Sequence, residues 1–271
     1  MASKSAKALA EAIEVLRAAA LDGIAHGFLG RHGGVSSGLV AGLNVGLGAG
    51  DDDAAVAENR QRAADAVLPG AGLVTVYQVH STLCVTAIQP WPDAERPHAD
   101  ALVTDRPGLL LGIVTADCAP VLLADVEANG GAGVIGAAHA GWKGAVGGVT
   151  DATIAAMEAL GAQRERIAAA IGPCIAQASY EVDEGFRERF VAIAPSNIAF
   201  FAAGKPGHWQ FDLEGYVAAR LESAGIGAVE RLGCDTCGQP DRFYSYRRAT
   251  LNGEPSYGRQ ISLVGLRDSR D

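Results

Sequence analysis

Short apolar runs bounded by polar or turn-forming residues recur along most of the chain. Runs of this kind are typical of buried β-strands. We therefore predict strands over residues 73–79 (LVTVYQV), 109–115 (LLLGIVT), 120–126 (PVLLADV), 133–139 (GVIGAAH), 167–172 (IAAAIG) and 259–266 (RQISLVGL).

Longer segments with helical spacing are interleaved with these runs. One begins at Asp51 (DDDAAVAENRQRAADAVL), and another begins at Thr150 (TDATIAAMEALG) and stops at Gly161. A third, LEGYVAARLESAG, follows Asp212. Acidic and hydroxyl side chains cap helix N-termini and Gly often follows a C-terminus, so three helices are predicted. The N-terminal segment ASKSAKALAEAIEVLRAAA is predicted to be an amphipathic helix, because its two glutamates are incompatible with a signal peptide.

Interleaved strands and helices, without a repeat or a shift in composition, predict one mixed domain in this chain of 271 residues. The net charge of −9 argues against a broad nucleic-acid surface. Five irregularly spaced cysteines indicate reduced thiols. No apolar run approaches the roughly 20 residues of a membrane span. We therefore expect a cytoplasmic protein with neither nucleic acid nor membrane as a partner.

Metal-binding side chains follow three of the predicted strands. His80 follows residues 73–79, Asp117 and Cys118 follow residues 109–115, and His139 ends residues 133–139. If these strands are neighbours, His80, Cys118 and His139 can converge at one sheet edge, where ligands bind in open α/β sheets. Two histidines and one cysteine suit a catalytic zinc ion. Alternatively, Cys118 is a nucleophile with a histidine as its base and Asp117 as the orienting group.

Residues 26–52, HGFLGRHGGVSSGLVAGLNVGLGAGDD, form a glycine-rich segment. It contains neither a P-loop nor a dinucleotide-binding fingerprint, but its backbone N–H groups could cradle an anion. Arg31 within it could supply a bidentate partner for phosphate or carboxylate.

A set of motifs spread over residues 26–266 resembles one family in the same order. They are HGFLGRHGGVSSG, GLNVG, GDD, YQVHS, ADALVT, TADCAPVLL, HAGWKG, IGPCI, YEV, RFYSYRR and GRQ. The chain resembles the laccase-domain family, formerly called multicopper polyphenol oxidases and now regarded as purine nucleoside phosphorylases.

The resemblance implies an α+β fold with four layers, α/β/β/α, and mixed sheets. Residues 26–271 would be a single catalytic domain, preceded by an N-terminal helix and lead-in over residues 1–25. His80, Cys118 and His139 would bind Zn²⁺. The activity implied is phosphorolysis of adenosine, inosine and S-methyl-5'-thioadenosine, together with deamination of adenosine. Purine nucleosides and inorganic phosphate would be the partners.

Candidate roles follow for the remaining polar residues. Arg31 and Lys143 are the predicted ligands of phosphate or polar substrate groups, and Lys143 stands where many family members carry Arg. Asn44 is predicted to orient a purine or ribose edge, and Asp117 to shuttle a proton. Two further arginines in FYSYRR, at positions 247 and 248, are either cleft cations or solvated surface.

The number and spacing of the histidines do not fit the older name of multicopper oxidase. The chain has six histidines and no His-X-His pair, so a multicopper centre cannot be assembled from it. Cu²⁺ could still occupy the His₂Cys site in vitro, because it outcompetes Zn²⁺ at most sites.

Two other functions stay open at this point. One is a cysteine hydrolase or amidase, acting for example on a cell-wall precursor peptide, with Cys118 as nucleophile. The other is a binding protein without catalytic activity.

Overall fold

A computed structural model describes residues 12–126 and 132–267 of the protein. The strands are β1 (Val15–Leu16), β2 (Ala25–Leu29), β3 (Gly72–Thr75), β4 (Cys84–Thr86), β5 (Ala101–Thr104), β6 (Leu109–Thr115), β7 (Ala119–Val126), β8 (Ala132–Ala140), β9 (Ile167–Ile171), β10 (Glu181–Asp183), β11 (Phe201–Ala203), β12 (His208–Phe211), β13 (Ala228–Arg231) and β14 (Gln260–Gly265). The helices are α1 (Asp53–Val67), α2 (Trp142–Gly147), α3 (Val149–Ala159), α4 (Glu184–Ile193), α5 (Leu213–Ser223) and α6 (Tyr246–Leu251).

The strands form two large mixed sheets and one small sheet. The first large sheet has the order β1-β2-β14-β6-β3, in which only β3 and β6 are parallel. The second has the order β13-β9-β7-β8-β5-β4, with β13 parallel to β9 and β4 parallel to β5. The small sheet, β10-β12-β11, is antiparallel. The chain crosses between the two large sheets at the connections β3–β4, β5–β6, β6–β7 and β13–β14.

Both faces of the central strands are buried, which explains their continuous apolar sequences. In β6, Leu111 packs between the two large sheets, whereas Leu110 contacts the layer of α1. In β7, Leu122 points between the sheets, whereas Val121 and Leu123 pack towards α3 and α5. Since successive strand residues point to opposite faces, this alternation gives the order helix, sheet, sheet, helix. The predicted four-layer α/β/β/α architecture is confirmed.

The predicted elements agree with the structure over most of the chain. The strand over residues 109–115 coincides with β6, and Asp52 and Asp212 cap α1 and α5 by accepting hydrogen bonds from backbone N–H groups. The strand predicted over residues 73–79 ends early, at Thr75, and an irregular segment continues to His80. None of the helices in the described ranges combines the length and apolar character that a bilayer crossing needs.

The N-terminal helix is corrected where the structure describes it. Residues 1–11 lie outside the described residues, but Val15 and Leu16 form β1, followed by a short 3-10 turn at Ala19–Leu21. β1 pairs with Leu29 and Phe28 of β2. This pairing extends the first sheet and overrides the helical spacing of the sequence.

Candidate functional site

His80, Cys118 and His139 converge where the two large sheets meet. Their potential ligand atoms all lie within 4.8 Å of one another, and the two imidazole rings are 4.7 Å apart, edge to face. Cys118 lies in the bend between β6 and β7, and His139, in β8, is opposite Pro120 of β7. The predicted convergence is therefore present. It arises from two packed sheets rather than from one sheet edge, because β6 and β8 belong to different sheets.

Asp100 fixes the orientation of both histidines, although the sequence analysis did not single it out. Its fully buried carboxylate accepts a hydrogen bond from His139 Nδ1 at 2.8 Å. It also accepts from the backbone N–H groups of Val79, His80 and Ser81, three consecutive residues of the loop that carries His80. With Nδ1 bound to Asp100, the Nε2 atom of His139 is left to face a metal ion.

Charges around the site shift the pKa values of its groups. Burial alone would raise the pKa of Asp100, but the hydrogen bonds from His139 and Ser81 outweigh it and lower the pKa to about 2. Burial would lower the pKa of His139, but negative charge on Cys118 and the bond to Asp100 raise it to about 9. Burial, together with nearby positive charge, lowers the pKa of His80 and favours the neutral imidazole that a metal requires.

The backbone is unusual at the same place. Among the described residues other than glycine, only His80 and Asp117 have positive φ angles, of 58° and 84°. Such conformations are uncommon and cluster at functional sites. Gly141 passes so close that a Cβ there would lie 2.6 Å from His80 Nδ1 and 3.0 Å from Cys118 Sγ. Only a residue without a side chain leaves room for both.

Asp117 is buried beside Cys118 and lines the cavity described next, yet its oxygens are already engaged. They accept hydrogen bonds from Thr236 Oγ1 at 2.6 Å, Ser245 Oγ at 3.0 Å and the backbone N–H of Arg247 at 2.6 Å. Burial raises the pKa of Asp117, against the lowering effect of these bonds. The carboxylate therefore ties the bend of Cys118 to the start of α6.

His80, Cys118, His139 and Asp117 line a cavity of about 630 Å³, the central cavity. Aromatic side chains contribute much of its wall: Tyr77, Trp142, Tyr180, Tyr246 and Tyr257. Its cationic lining residues are Arg60, Arg96, Arg247 and Arg259. A space of this size with apolar walls and a few polar groups is typical of a small-molecule site.

None of the three predicted substrate-binding residues lines the central cavity, and their part in substrate binding stays a prediction. Arg31 donates hydrogen bonds to the backbone carbonyls of Ala41 and Pro240, so it braces the glycine-rich segment. Asn44 is fully buried and bonded to Asp51. Lys143 is exposed on α2, near enough to His80 to lower the pKa of that histidine.

The two arginines of FYSYRR differ in role. Arg247 lines the central cavity, with its guanidinium 5.3 Å from the centre of the Tyr180 ring. Arg248 instead donates to the backbone carbonyls of Thr236, Cys237 and Phe243 and holds that loop together.

Other residues of the site had a visible signal in the sequence. Asp100 and Arg259 lie within ADALVT and GRQ, two of the motifs that carry the resemblance. Arg60 is a cation on the buried face of α1. A charged residue at an apolar helix position indicates a partner or a ligand, because unpaired buried charge is costly.

The fold and this site define a four-layer α/β/β/α protein with a His₂Cys group that can bind a metal ion. The chain belongs to the family described as multi-copper polyphenol oxidoreductase laccase, whose model matches residues 25–267. The resemblance inferred from the motifs is thus confirmed.

Individual relatives cover nearly the whole chain. A purine nucleoside phosphorylase of Deinococcus radiodurans is 43% identical over 260 residues, which are 95% of this chain and 94% of that protein. Purine nucleoside phosphorylase ORF3 of Streptomyces griseus is 42% identical over 241 residues, 88% of this chain and 94% of that protein. The crystal structure of Neisseria meningitidis protein NMB0706 matches with a TM-score of 0.84 at 31% identity, covering 95% of this chain and 100% of that one.

Proposed function

We propose that the protein is a zinc-dependent purine nucleoside phosphorylase that acts on adenosine, inosine and S-methyl-5'-thioadenosine and also deaminates adenosine. The observation that carries the proposal is the convergence of His80, Cys118 and His139 in a cavity with aromatic and cationic walls. The names of the relatives from Deinococcus radiodurans and Streptomyces griseus support the reaction class.

The donor set fits zinc. Two imidazoles and a thiolate are ligands that Zn²⁺ prefers, and three protein ligands are typical of catalytic sites that keep a position open. His80, Cys118 and His139 would hold the ion, which when bound supplies a Lewis acid to the cavity. By accepting the bond from Nδ1, Asp100 would orient Nε2 of His139 towards the ion.

The walls of the cavity suit a nucleoside. Tyr180, Trp142 and Tyr246 offer aromatic faces against which a purine can stack. Phosphorolysis also needs positive charge for the phosphate nucleophile, and four arginines line the same space. The hydrogen bonds of Asp117 favour a role in positioning Arg247, and its part as a proton shuttle in deamination stays a prediction.

The test is whether base release depends on phosphate. With inosine or adenosine, we expect base release to require added phosphate and to yield ribose 1-phosphate. Cys118→Ala should lose both phosphorolysis and deamination, because both are assigned to the same cavity. The matched control is Cys84→Ala, since Cys84 is a half-buried thiol outside the cavity lining. Free ribose released at a rate indifferent to phosphate would contradict the assignment.

A cysteine hydrolase is the second candidate, and one observation favours it. Cys118, His139 and Asp100 stand in the order nucleophile, base and orienting carboxylate, since His139 contacts Cys118 and donates a hydrogen bond to Asp100 through Nδ1. The dependence of activity on bound metal distinguishes the two candidate functions. A hydrolase of this kind would keep its activity after chelation and form a thioester on Cys118, whereas the phosphorylase would lose activity and regain it with Zn²⁺.

A further inference from the structure

One wall of the central cavity carries an arginine nitrogen with no protein partner. Nη1 of Arg259 is buried and makes no hydrogen bond. Buried polar atoms without partners are rare in folded proteins, so each calls for an explanation. The rest of the side chain is held in place: Nη2 donates to the hydroxyl of Tyr257 at 3.3 Å, and the guanidinium lies 4.8 Å from the centre of that ring.

A second guanidinium flanks the same stretch of backbone. Arg60, only 8% exposed, donates from Nη1 to the carbonyl of Val45 at 3.3 Å. A Cβ on the next residue, Gly46, would lie 2.9 Å from Nη1 of Arg259. The two arginines therefore contact adjacent residues, Arg60 at Val45 and Arg259 at Gly46, and Gly46 leaves the space that the guanidinium of Arg259 occupies.

The charge on this wall is not balanced by protein carboxylates. Asp93 lies 3.1 Å from Arg60 and 3.6 Å from Arg96. Within residues 12–126 and 132–267, Arg259 has no carboxylate at ion-pair distance. Three cations and one anion leave a net positive wall, which would attract an anionic ligand.

We infer that Arg259 forms the subsite for inorganic phosphate, with Arg60 supplying a second positive charge at the neighbouring residue Val45. Guanidinium groups bind phosphate oxygens with paired N–H donors, and the N–H groups of Arg259 Nη1 have no acceptor in the protein. Asn44 shapes the subsite indirectly, because its Oδ1 accepts from the backbone N–H groups of both Gly46 and Arg259. The inference rests on the proposed function, which supplies the reason for a phosphate in this cavity.

The test uses two variants of the zinc-loaded protein. Arg259→Gln removes the positive charge. Gly46→Ala keeps the arginine in the sequence but introduces a methyl group that would displace its guanidinium. We expect each to raise the KM for phosphate by about 10-fold or more, as for the loss of a charged hydrogen bond. The KM for inosine and the zinc content should stay within about twofold. Arg106→Gln, an exposed arginine paired with Asp105, is the matched control.

A direct measurement of phosphate binding tests the subsite independently of the proposed reaction. Phosphate titrated into zinc-loaded protein in a calorimeter should bind to the wild type and at least about 10-fold more weakly to both variants. If the protein shows no phosphorolysis but binding still depends on Arg259, the reaction is wrong and the subsite stands. An unchanged KM and unchanged binding in both variants would overturn the subsite, as would a loss caused by Arg247→Gln instead. Binding of adenosine 5'-monophosphate that depends on Arg259, without binding of free phosphate, would also overturn it in favour of a nucleotide phosphate.

Discussion

Asp100→Asn should weaken zinc binding without removing any metal ligand. Oδ1 of Asp100 accepts hydrogen bonds from His139 Nδ1 at 2.8 Å and from the backbone N–H of His80 at 2.9 Å. Oδ2 accepts hydrogen bonds from the backbone N–H groups of Val79 and Ser81. An asparagine has one oxygen and one NH₂ group, so either orientation directs a donor at a backbone N–H.

Each of the two orientations of the introduced asparagine amide would disturb the position or protonation of a different histidine. If NH₂ replaces Oδ1, it donates to Nδ1 of His139 and drives the proton to Nε2, which can then no longer bind a metal. If NH₂ replaces Oδ2, it repels the backbone of the loop that holds His80. Loss of such a supporting carboxylate typically weakens metal binding by about 10- to 100-fold, which is about 1.4 to 2.7 kcal/mol.

The assay is a competition titration of Zn²⁺ between the protein and a chromophoric chelator near neutral pH. Asp105→Asn, at a half-buried loop position outside the cavity lining, is the matched control and should bind zinc like the wild type. Circular dichroism must show both variants folded, so that weaker binding reports on the site. A dissociation constant for Asp100→Asn within about twofold of the wild type would refute the role of this carboxylate.

Two further predictions concern other parts of the chain. Gly141→Ala should lower zinc affinity, because the new Cβ would lie 3.0 Å from Cys118 Sγ. Gly133→Ala is the control and should not lower it, since a Cβ there meets no atom within 4 Å. Equal zinc affinities of the two variants in the same titration would refute the steric argument. Asp125→Asn should lower the free energy of unfolding by about 2 kcal/mol at neutral pH, because Asp125 accepts charged hydrogen bonds from Arg166. These bonds lower the pKa of Asp125 below 3.8 despite its burial, so the stabilisation is present above that pH and is lost as the pH falls through the folded-state pKa. Urea denaturation across pH should therefore show the variant and wild type converging in acid, and a constant difference would contradict this.

The sequence predicts the parts of the fold that local pattern controls. Residues 109–115 could be recognised as a buried strand because Leu110 and Leu111 face two different layers and both must be apolar. The helix after Asp52 could be recognised because its N-cap is a local interaction with Ala55. His80, Cys118 and His139, which could hold a metal ion, can be found because each follows or ends an apolar run.

Long-range pairing decides the features that the sequence did not reveal. His139 and Asp100 are 39 positions apart, and Asn44 is 215 positions from Arg259, so neither bond has a local signature. The sequence identifies Arg31 as a cation in a glycine-rich segment, but it does not reveal that Nη1 and Nη2 donate to the backbone carbonyls of Pro240 and Ala41. The apolar spacing around Val15 is compatible with a helix, and only the edge of β2 makes it a strand.

The metal content of protein purified without added metal tests the central claim most directly. The account predicts about one zinc per chain, held by His80, Cys118 and His139. Cys118→Ala should remain folded and lose tightly bound zinc, whereas Cys84→Ala should keep it. Full retention of zinc by Cys118→Ala, or a wild-type protein that is free of metal and fully active, would contradict the account.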